Sequence, residues 1–207
     1  ILLYFAAEKV LGAGGTALLW THLDSVKTQL EPTVLQLAFV FLLVGYGTKV
    51  GLAPLHSWLP DAHAEGPTPV SAVLSGLLLN VALYAVMRSK VLVDGALGNE
   101  MAGNLMMGFG LLSVVVAAFL IKRQTDVKRM FAYSSIEHMG LITFAFGMGG
   151  AVANFAALLH MTMHSLTKSA IFFAVGHATQ KAGTQLMDDI RGLIKTNPTI
   201  GWGLMLG

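Results

Sequence analysis

Cysteine is absent from the 207 residues, so this chain can hold no disulfide, no thiolate metal site and no iron–sulfur cluster. Charge is scarce too. Asp, Glu, Lys and Arg make up 12% of the residues and 55% are hydrophobic, with a mean hydropathy of +0.68; ordinary soluble domains carry about twice that charged share. From Met130 to Gln180, Glu137 and Lys168 are the only such residues. Apolar side chains therefore come in runs of bilayer length, and lipid is the solvent that suits them. No run alternates apolar with polar residues, which argues against barrel strands. The net charge of +2 is mild, and no basic patch is interleaved with aromatics, so nucleic acid is not an expected partner. No secretory leader is visible. The chain opens at Ile1-Leu2-Leu3 without Met and closes at Gly201 to Gly207 inside a starting helix. It is read as a single transmembrane domain over 1–207, cut at both ends from a longer protein.

What is present is a series of helical blocks. The apolar runs predict crossings over 1–20, 33–52, 68–88, 101–121, 130–149 and 151–177, with 198–207 opening another. About 20 helical residues cross ~30 Å of hydrocarbon. Six crossings put the loops 53–67, 121–129 and 178–197 on one side. They hold Lys122, Arg123, Lys128, Arg129, Lys181, Arg191 and Lys195, against Lys27, Arg88 and Lys90 on the other side. Seven against three assigns the first group to the cytoplasm.

The second block ends Gly45-Tyr46-Gly47-Thr48-Lys49-Val50-Gly51-Leu52-Ala53-Pro54. Glycines and a proline weaken the helix around a lysine there. A helix broken at membrane depth frees backbone groups, which survive only against protein or a wet cavity. Lysine at the bilayer centre costs about 2.5–3.5 kcal/mol, which points Lys49 toward a partner or water; snorkelling past the helix end is the competing reading. In the fifth block stand Glu137 and His138. The carboxyl must pair or be protonated, and it serves equally well as a tie between helices. Imidazole passes a proton through either nitrogen near neutral pH. In the sixth block, spacing of four puts His160, His164 and Lys168 on one stripe, each ~6 Å from the next. Three ionisable groups in register inside an apolar span form a proton wire once waters bridge them. The rival is a metal site on His160 and His164, which needs further ligands from Glu137, His138 or His177. No HExxH pattern is present, and cationic Lys168 takes the next position in register.

Several of these stretches resemble one family. Gly47-Thr48-Lys49, Leu55-His56-Ser57-Trp58-Leu59-Pro60-Asp61-Ala62-His63-Ala64-Glu65-Gly66-Pro67-Thr68-Pro69-Val70-Ser71 and Thr125-Asp126-Val127-Lys128-Arg129 are similar to the antiporter-like membrane subunits shared by respiratory complex I, Mrp antiporters and energy-converting hydrogenases. Tyr133-Ser134-Ser135-Ile136-Glu137-His138-Met139-Gly140 and the His160 to Lys168 stripe resemble the hydrogenase-4 component F type. The resemblance implies an all-α polytopic bundle with a discontinuous helix, this chain being the sixth to eleventh of about fourteen helices plus the start of the twelfth. It casts Lys49 as the broken-helix switch and His138, His160, His164 and Lys168 as protonatable residues leading across the membrane. Glu137, Pro54, Asn80 and Ser75 stand as supporting residues. The sequence departs from the family where Asn80 takes the place of a lysine and Ser75 that of a histidine found in several complex I subunits. The family's partner glutamate and terminal Lys or Glu fall outside 1–207.

The expected function is proton translocation coupled to a redox reaction in other subunits of a hydrogenase, formate hydrogenlyase or NADH:quinone oxidoreductase-like complex. This chain would hold no redox site, no cofactor and no metal. Its partners would be other membrane subunits, a peripheral redox arm, the lipid bilayer and protons, with the cell's inner membrane as its location. An Mrp-type Na+/H+ subunit is the alternative within transport, and a membrane metalloenzyme using His160 and His164 the alternative of another class. A cysteine introduced in 122–129 is expected to label only from the cytoplasmic face; labelling from outside in intact cells reverses the orientation.

Overall fold

The computed structural model describes residues 1–12, 15–98, 100–190 and 192–206, the side chains of Thr16 and Leu206 excepted. Arg191, one of the basic loop residues, lies outside them. Among the described residues every regular element is helical, apart from one isolated antiparallel bridge between Asp126 and Leu186.

The expected crossing over 1–20 is not one helix. α1 (Leu2–Leu11) is 10 residues long, ~15 Å and half a bilayer core. It ends at Gly12 with φ 74°, and a 3-10 turn (Gly15–Leu18) and the short α2 (Trp20–Ser25) follow. Gly12, Gly14 and Gly15 each disfavour helix by about 1 kcal/mol; apolarity alone hides that break.

α3 (Pro32–Val50) starts where theory places it. Pro32 occupies the first turn, and the Glu31 carboxylate accepts from the N–H groups of Thr33 and Val34. It ends at left-handed Gly51 (φ 81°). After a non-helical stretch over 51–57, with a cis Ala53–Pro54 peptide, α4 (Trp58–Glu65) resumes. The discontinuous helix is therefore present.

α5 (Thr68–Val73), a π turn over Leu74–Leu78 and α6 (Leu79–Leu97) form one continuous span, longer than the expected 68–88. α7 (Met101–Ile121) and α8 (Val127–Met148) follow, the latter capped by the Asp126 carboxylate on the Arg129 N–H. α9 (Gly150–Ala182) has 33 residues, ~50 Å, so it outruns the apolar layer. α10 (Leu193–Thr196) and α11 (Pro198–Leu206) end the described chain. Pro32–Val50, Thr68–Leu97 and Met101–Ile121 are long and apolar enough to cross a membrane. α8 and α9 have the length, and they carry the polar residues.

The loops 53–67, 121–129 and 178–197 meet at one end of the bundle. Val127 donates to the Gln185 carbonyl and Met187 to that of Thr125. Lys128 donates to the Gly66 carbonyl, Gln185 to that of Ala64, and Arg129 pairs with Asp61 at 2.8 Å. The opposite end gathers Trp20, Arg88, Lys90 and Asp94: Trp20 donates to the Arg88 carbonyl beneath a stacked Arg88 guanidinium, and Lys90 pairs with Asp94.

α7 and α8 touch backbone to backbone. A Cβ on Gly110 would stand 2.6 Å from the Gly140 oxygen, and one on Gly147 would stand 2.8 Å from the Gly103 oxygen. Small residues admit such approach where lipid offers no hydrophobic drive between helices. Outward, Phe41, Phe119, Val152, Phe155 and Leu166 are exposed, as a lipid-facing surface requires. Gly110→Val is expected to destabilise the full-length protein in detergent by about 1–3 kcal/mol. Gly108→Val, with nothing within 4 Å of its Cβ position, is expected to be near neutral; equal melting of the two variants would dismiss the close contact.

Candidate functional site

Two interruptions in the helical ladder organise the interior. At the first, the carbonyl of Thr48 accepts from the Trp58 indole at 2.7 Å, and the Ala53 N–H donates to the Ser113 hydroxyl at 2.8 Å. Protein groups thus take up what the break frees. At the second, the π turn, the Gly76 carbonyl accepts from the Asn80 amide at 2.9 Å and from the Ser165 hydroxyl. Gly76 is what lets α9 come this close: a Cβ there would fall 2.1 Å from the Ser169 hydroxyl oxygen and 3.0 Å from the Ser165 carbonyl oxygen. Asn80 also donates to the Met161 carbonyl at 3.4 Å, and its Oδ1 is buried without a hydrogen-bond partner among the described residues. Ser75, fully buried, shares a hydrogen bond of 2.8 Å with Ser135.

Beyond that seam lies the histidine cluster. α8 and α9 run antiparallel, and their facing stripes form a ladder of polar contacts. His138 Nδ1 and His160 Nε2 stand 2.9 Å apart, so one of them carries the proton and the other accepts it. The His164 ring lies 5.7 Å from that of His138. His164 is 4% exposed and, among the described residues, neither of its nitrogens has a hydrogen-bond partner. Lys168, 3% exposed, donates to Ser134 at 2.7 Å. Glu137, half-buried on α8, is within electrostatic reach of Lys168 without forming an ion pair among the described residues. A cavity of about 260 Å³ joins Ser134, His138, His160, His164 and Lys168, with Leu204 of α11 on its wall. It has room for several waters, and its walls offer each one polar partners. The 2.9 Å contact is short enough for direct proton exchange between the two bonded histidines; among the described residues no hydrogen bond links His164 or Lys168 to them.

The expected residues do not all converge. His138, His160, His164 and Lys168 share this one cavity. Lys49, exposed in the last turn of α3, lines a different groove of about 490 Å³ with Leu42, Tyr46, Leu78, Ala82 and Arg88. The span Thr68–Leu97 stands between the two, and Asn80 and Ser75 sit on its inner side. Pro54 is exposed within the first break. His177 is exposed on α9, away from the cluster. No group of three or more His, Asp or Glu is arranged to hold a metal among the described residues. Two contributors went unassigned in the sequence, Ser134 and Ser165. Ser134 is four residues before His138 on the same face, a spacing that could have found it. Ser165 had no local signal, because its role depends on the π turn of another helix.

Long apolar helices, a broken helix and a His/Lys cluster in the interior define a polytopic helical membrane bundle. The family model described as NADH:quinone oxidoreductase/Mrp antiporter, TM, matches residues 1–207, and the chain belongs to that family. It is 57% identical over 206 residues to a hydrogenase-4 component F homolog of Methylacidiphilum infernorum, covering 100% of this chain and 43% of that protein. It is 35% identical over 173 residues to NADH-quinone oxidoreductase subunit M of Pseudomonas aeruginosa, covering 84% of this chain and 34% of that one. Among solved structures, a chain of an archaeal membrane-bound sulfane sulfur reductase superposes with a TM-score of 0.86 at 29% identity, covering 99% of this chain and 42% of that chain. A chain of the Mrp complex from Dietzia sp. DQ12-45-1b shares the fold, with a TM-score of 0.80 at 21% identity over 99% of this chain and 37% of that chain.

Proposed function

We propose that this chain forms the proton-conducting part of a subunit in a redox-driven membrane complex, of hydrogenase, formate hydrogenlyase or NADH:quinone oxidoreductase type. The observation that carries the reading is the cavity in which His138, His160, His164 and Lys168 face one another inside the bundle. Buried ionisable groups are costly in a membrane and mark ion or proton paths. Lys49 acts as the switch, in a groove of its own; Asn80, Ser75 and bridging water carry the proton past the Thr68–Leu97 span. His138, His160 and His164 relay it, and Lys168 hands it on. Redox chemistry belongs to a peripheral arm, and the other membrane subunits supply the remaining helices. The basic end of the bundle faces the cytoplasm of a cell whose inner membrane holds the complex. Imidazoles and an ammonium suit protons better than Na+, which prefers carboxylates and carbonyls.

The test is ion flux in proteoliposomes containing the full-length protein in its complex. His164→Gln is expected to slow proton flux, and the His160→Gln, His164→Gln double variant to slow it about 100-fold, because Gln keeps hydrogen bonding and loses titration. Lys49→Ala is expected to abolish pumping with assembly intact, and Lys49→Arg not to restore it, since guanidinium keeps its proton. Full flux in the assembled double variant would end the relay. Loss of activity in either single variant together with a stoichiometric metal would favour the metalloenzyme, and flux that requires sodium would favour the Na+/H+ subunit.

A further inference from the structure

Among the described residues Lys128 and Lys168 are the buried cations. Lys168 belongs to the histidine cavity; Lys128 has no part in it. It stands in the first turn of α8 and is 6% exposed. Its ammonium donates to the Gly66 carbonyl at 3.1 Å, which uses one of its three N–H groups. No carboxylate pairs with it among the described residues: Asp61 is taken up by Arg129, Asp126 caps α8, and Glu65 is exposed. A buried charge is costly until an opposite charge offsets it.

Beside the ammonium lies a cavity of about 460 Å³, at the end where the loops 53–67, 121–129 and 178–197 meet. Lys128 and Thr179 form its buried back, and Pro67, Pro69 and Gln180 its exposed rim. Thr68 and Gln180 bring a hydroxyl and an amide, both able to donate. No acidic side chain lines it among the described residues. A cation, further donors and no carboxylate are the chemistry of an anion site.

The rim leads onto an apolar strip. Thr68 meets Gly176 so closely that a Cβ on the glycine would come within 2.1 Å, and Gly76 meets Ser165 and Ser169, so the Thr68–Leu97 span and α9 run in opposite directions. From the contact of Thr68 with Gly176, Val73 lies ~140° round its helix and Phe173 ~60° round α9. With opposite directions both turns lead to the same flank of the seam. Val73 is 54% exposed and Phe173 53%, and both are on the membrane side of the cavity. A small inorganic anion would use the cavity alone, whereas a phospholipid uses cavity and strip together.

We propose that this cavity and strip hold one anionic phospholipid of phosphatidylglycerol type, its phosphate on Lys128 and an acyl chain along Val73 and Phe173. The inference does not depend on the relay reading. Basic pockets between membrane helices bind anionic headgroups. A phosphodiester carries one negative charge and so matches one lysine; a choline headgroup would add a second cation next to Lys128 and close to exposed Lys181. The headgroup sits where the 53–67 connection, α8 and α9 meet, so it joins three parts of the chain. Binding to the assembled form alone stabilises it.

The experiment uses the full-length protein in its complex, in nanodiscs of phosphatidylcholine alone or mixed with phosphatidylglycerol, and counts retained lipid by native mass spectrometry. The wild type is expected to retain one phosphatidylglycerol more than Lys128→Gln, which keeps a donor for Gly66 and loses the charge. Competition between the two lipids is expected to show phosphatidylglycerol held about 10-fold more weakly by that variant, and as tightly as in the wild type by Lys128→Arg. Gln180→Glu places a carboxylate on the exposed rim and is expected to expel the lipid without disturbing packing; it decides alone should Lys128→Gln not assemble. Inorganic phosphate in excess is expected to leave the lipid in place. Displacement by phosphate would make this a site for a free anion and overturn the lipid assignment. Equal retention by the wild type and Gln180→Glu overturns the inference. So does a wild type that retains no phosphatidylglycerol, which would give Lys128 an acidic partner elsewhere in the complex.

Discussion

A backbone carbonyl or amide that leaves the helical ladder inside an apolar layer has no water to turn to, and the rest of this interior is arranged around that constraint. It arises twice. At 51–57 the Trp58 indole and the Ser113 hydroxyl meet the freed groups; at the π turn Asn80 and Ser165 meet the Gly76 carbonyl. Each solution ties helices distant in sequence: α3 and α4 to α7, and the Thr68–Leu97 span to α9. Polar side chains recruited for that duty also create the conditions for others to stay buried nearby. Ser135 reaches Ser75 across the seam, and its neighbour Ser134 holds Lys168.

The same constraint separates the candidate residues into two compartments. Lys49 sits at the end of an interrupted helix and looks into a groove on one side of the Thr68–Leu97 span. The histidines line a cavity on the other. Among the described residues that span makes no direct side-chain connection between them. The unpaired Oδ1 of Asn80 is where a bridging water would gain most.

What the sequence disclosed and what it hid follow from the range of the interactions. The stripe of His160, His164 and Lys168 was legible because it lies within one helix, where spacing alone sets the face. That the loops 53–67, 121–129 and 178–197 share one end of the bundle was legible because it needs only a count of crossings. The pairing of His138 with His160 was not, since it depends on the stagger of α8 against α9, which the contacts of Gly103 with Gly147 and Gly110 with Gly140 help to fix from the opposite face of α8. The first block misled because apolarity outweighs glycine in a hydropathy reading, although Gly12 breaks the helix. The burial of His63 was not legible either, since it depends on the 53–67 connection returning onto Phe172 of α9.

The π turn over Leu74–Leu78 has a consequence for how this span is numbered by eye. Ser75 and Asn80 are both buried toward the interior, yet they are five residues apart, a step that would set them about 140° from each other in a regular helix. The wider turn absorbs that difference, so the helix carries two phases, one before Leu74 and one after Leu78. A wheel drawn through the whole span in a single phase therefore sends one half of its polar residues to the lipid. Alignments that open or close one position in this stretch change which side of the wall an entire half-helix addresses, even though hydropathy and length are almost unaltered.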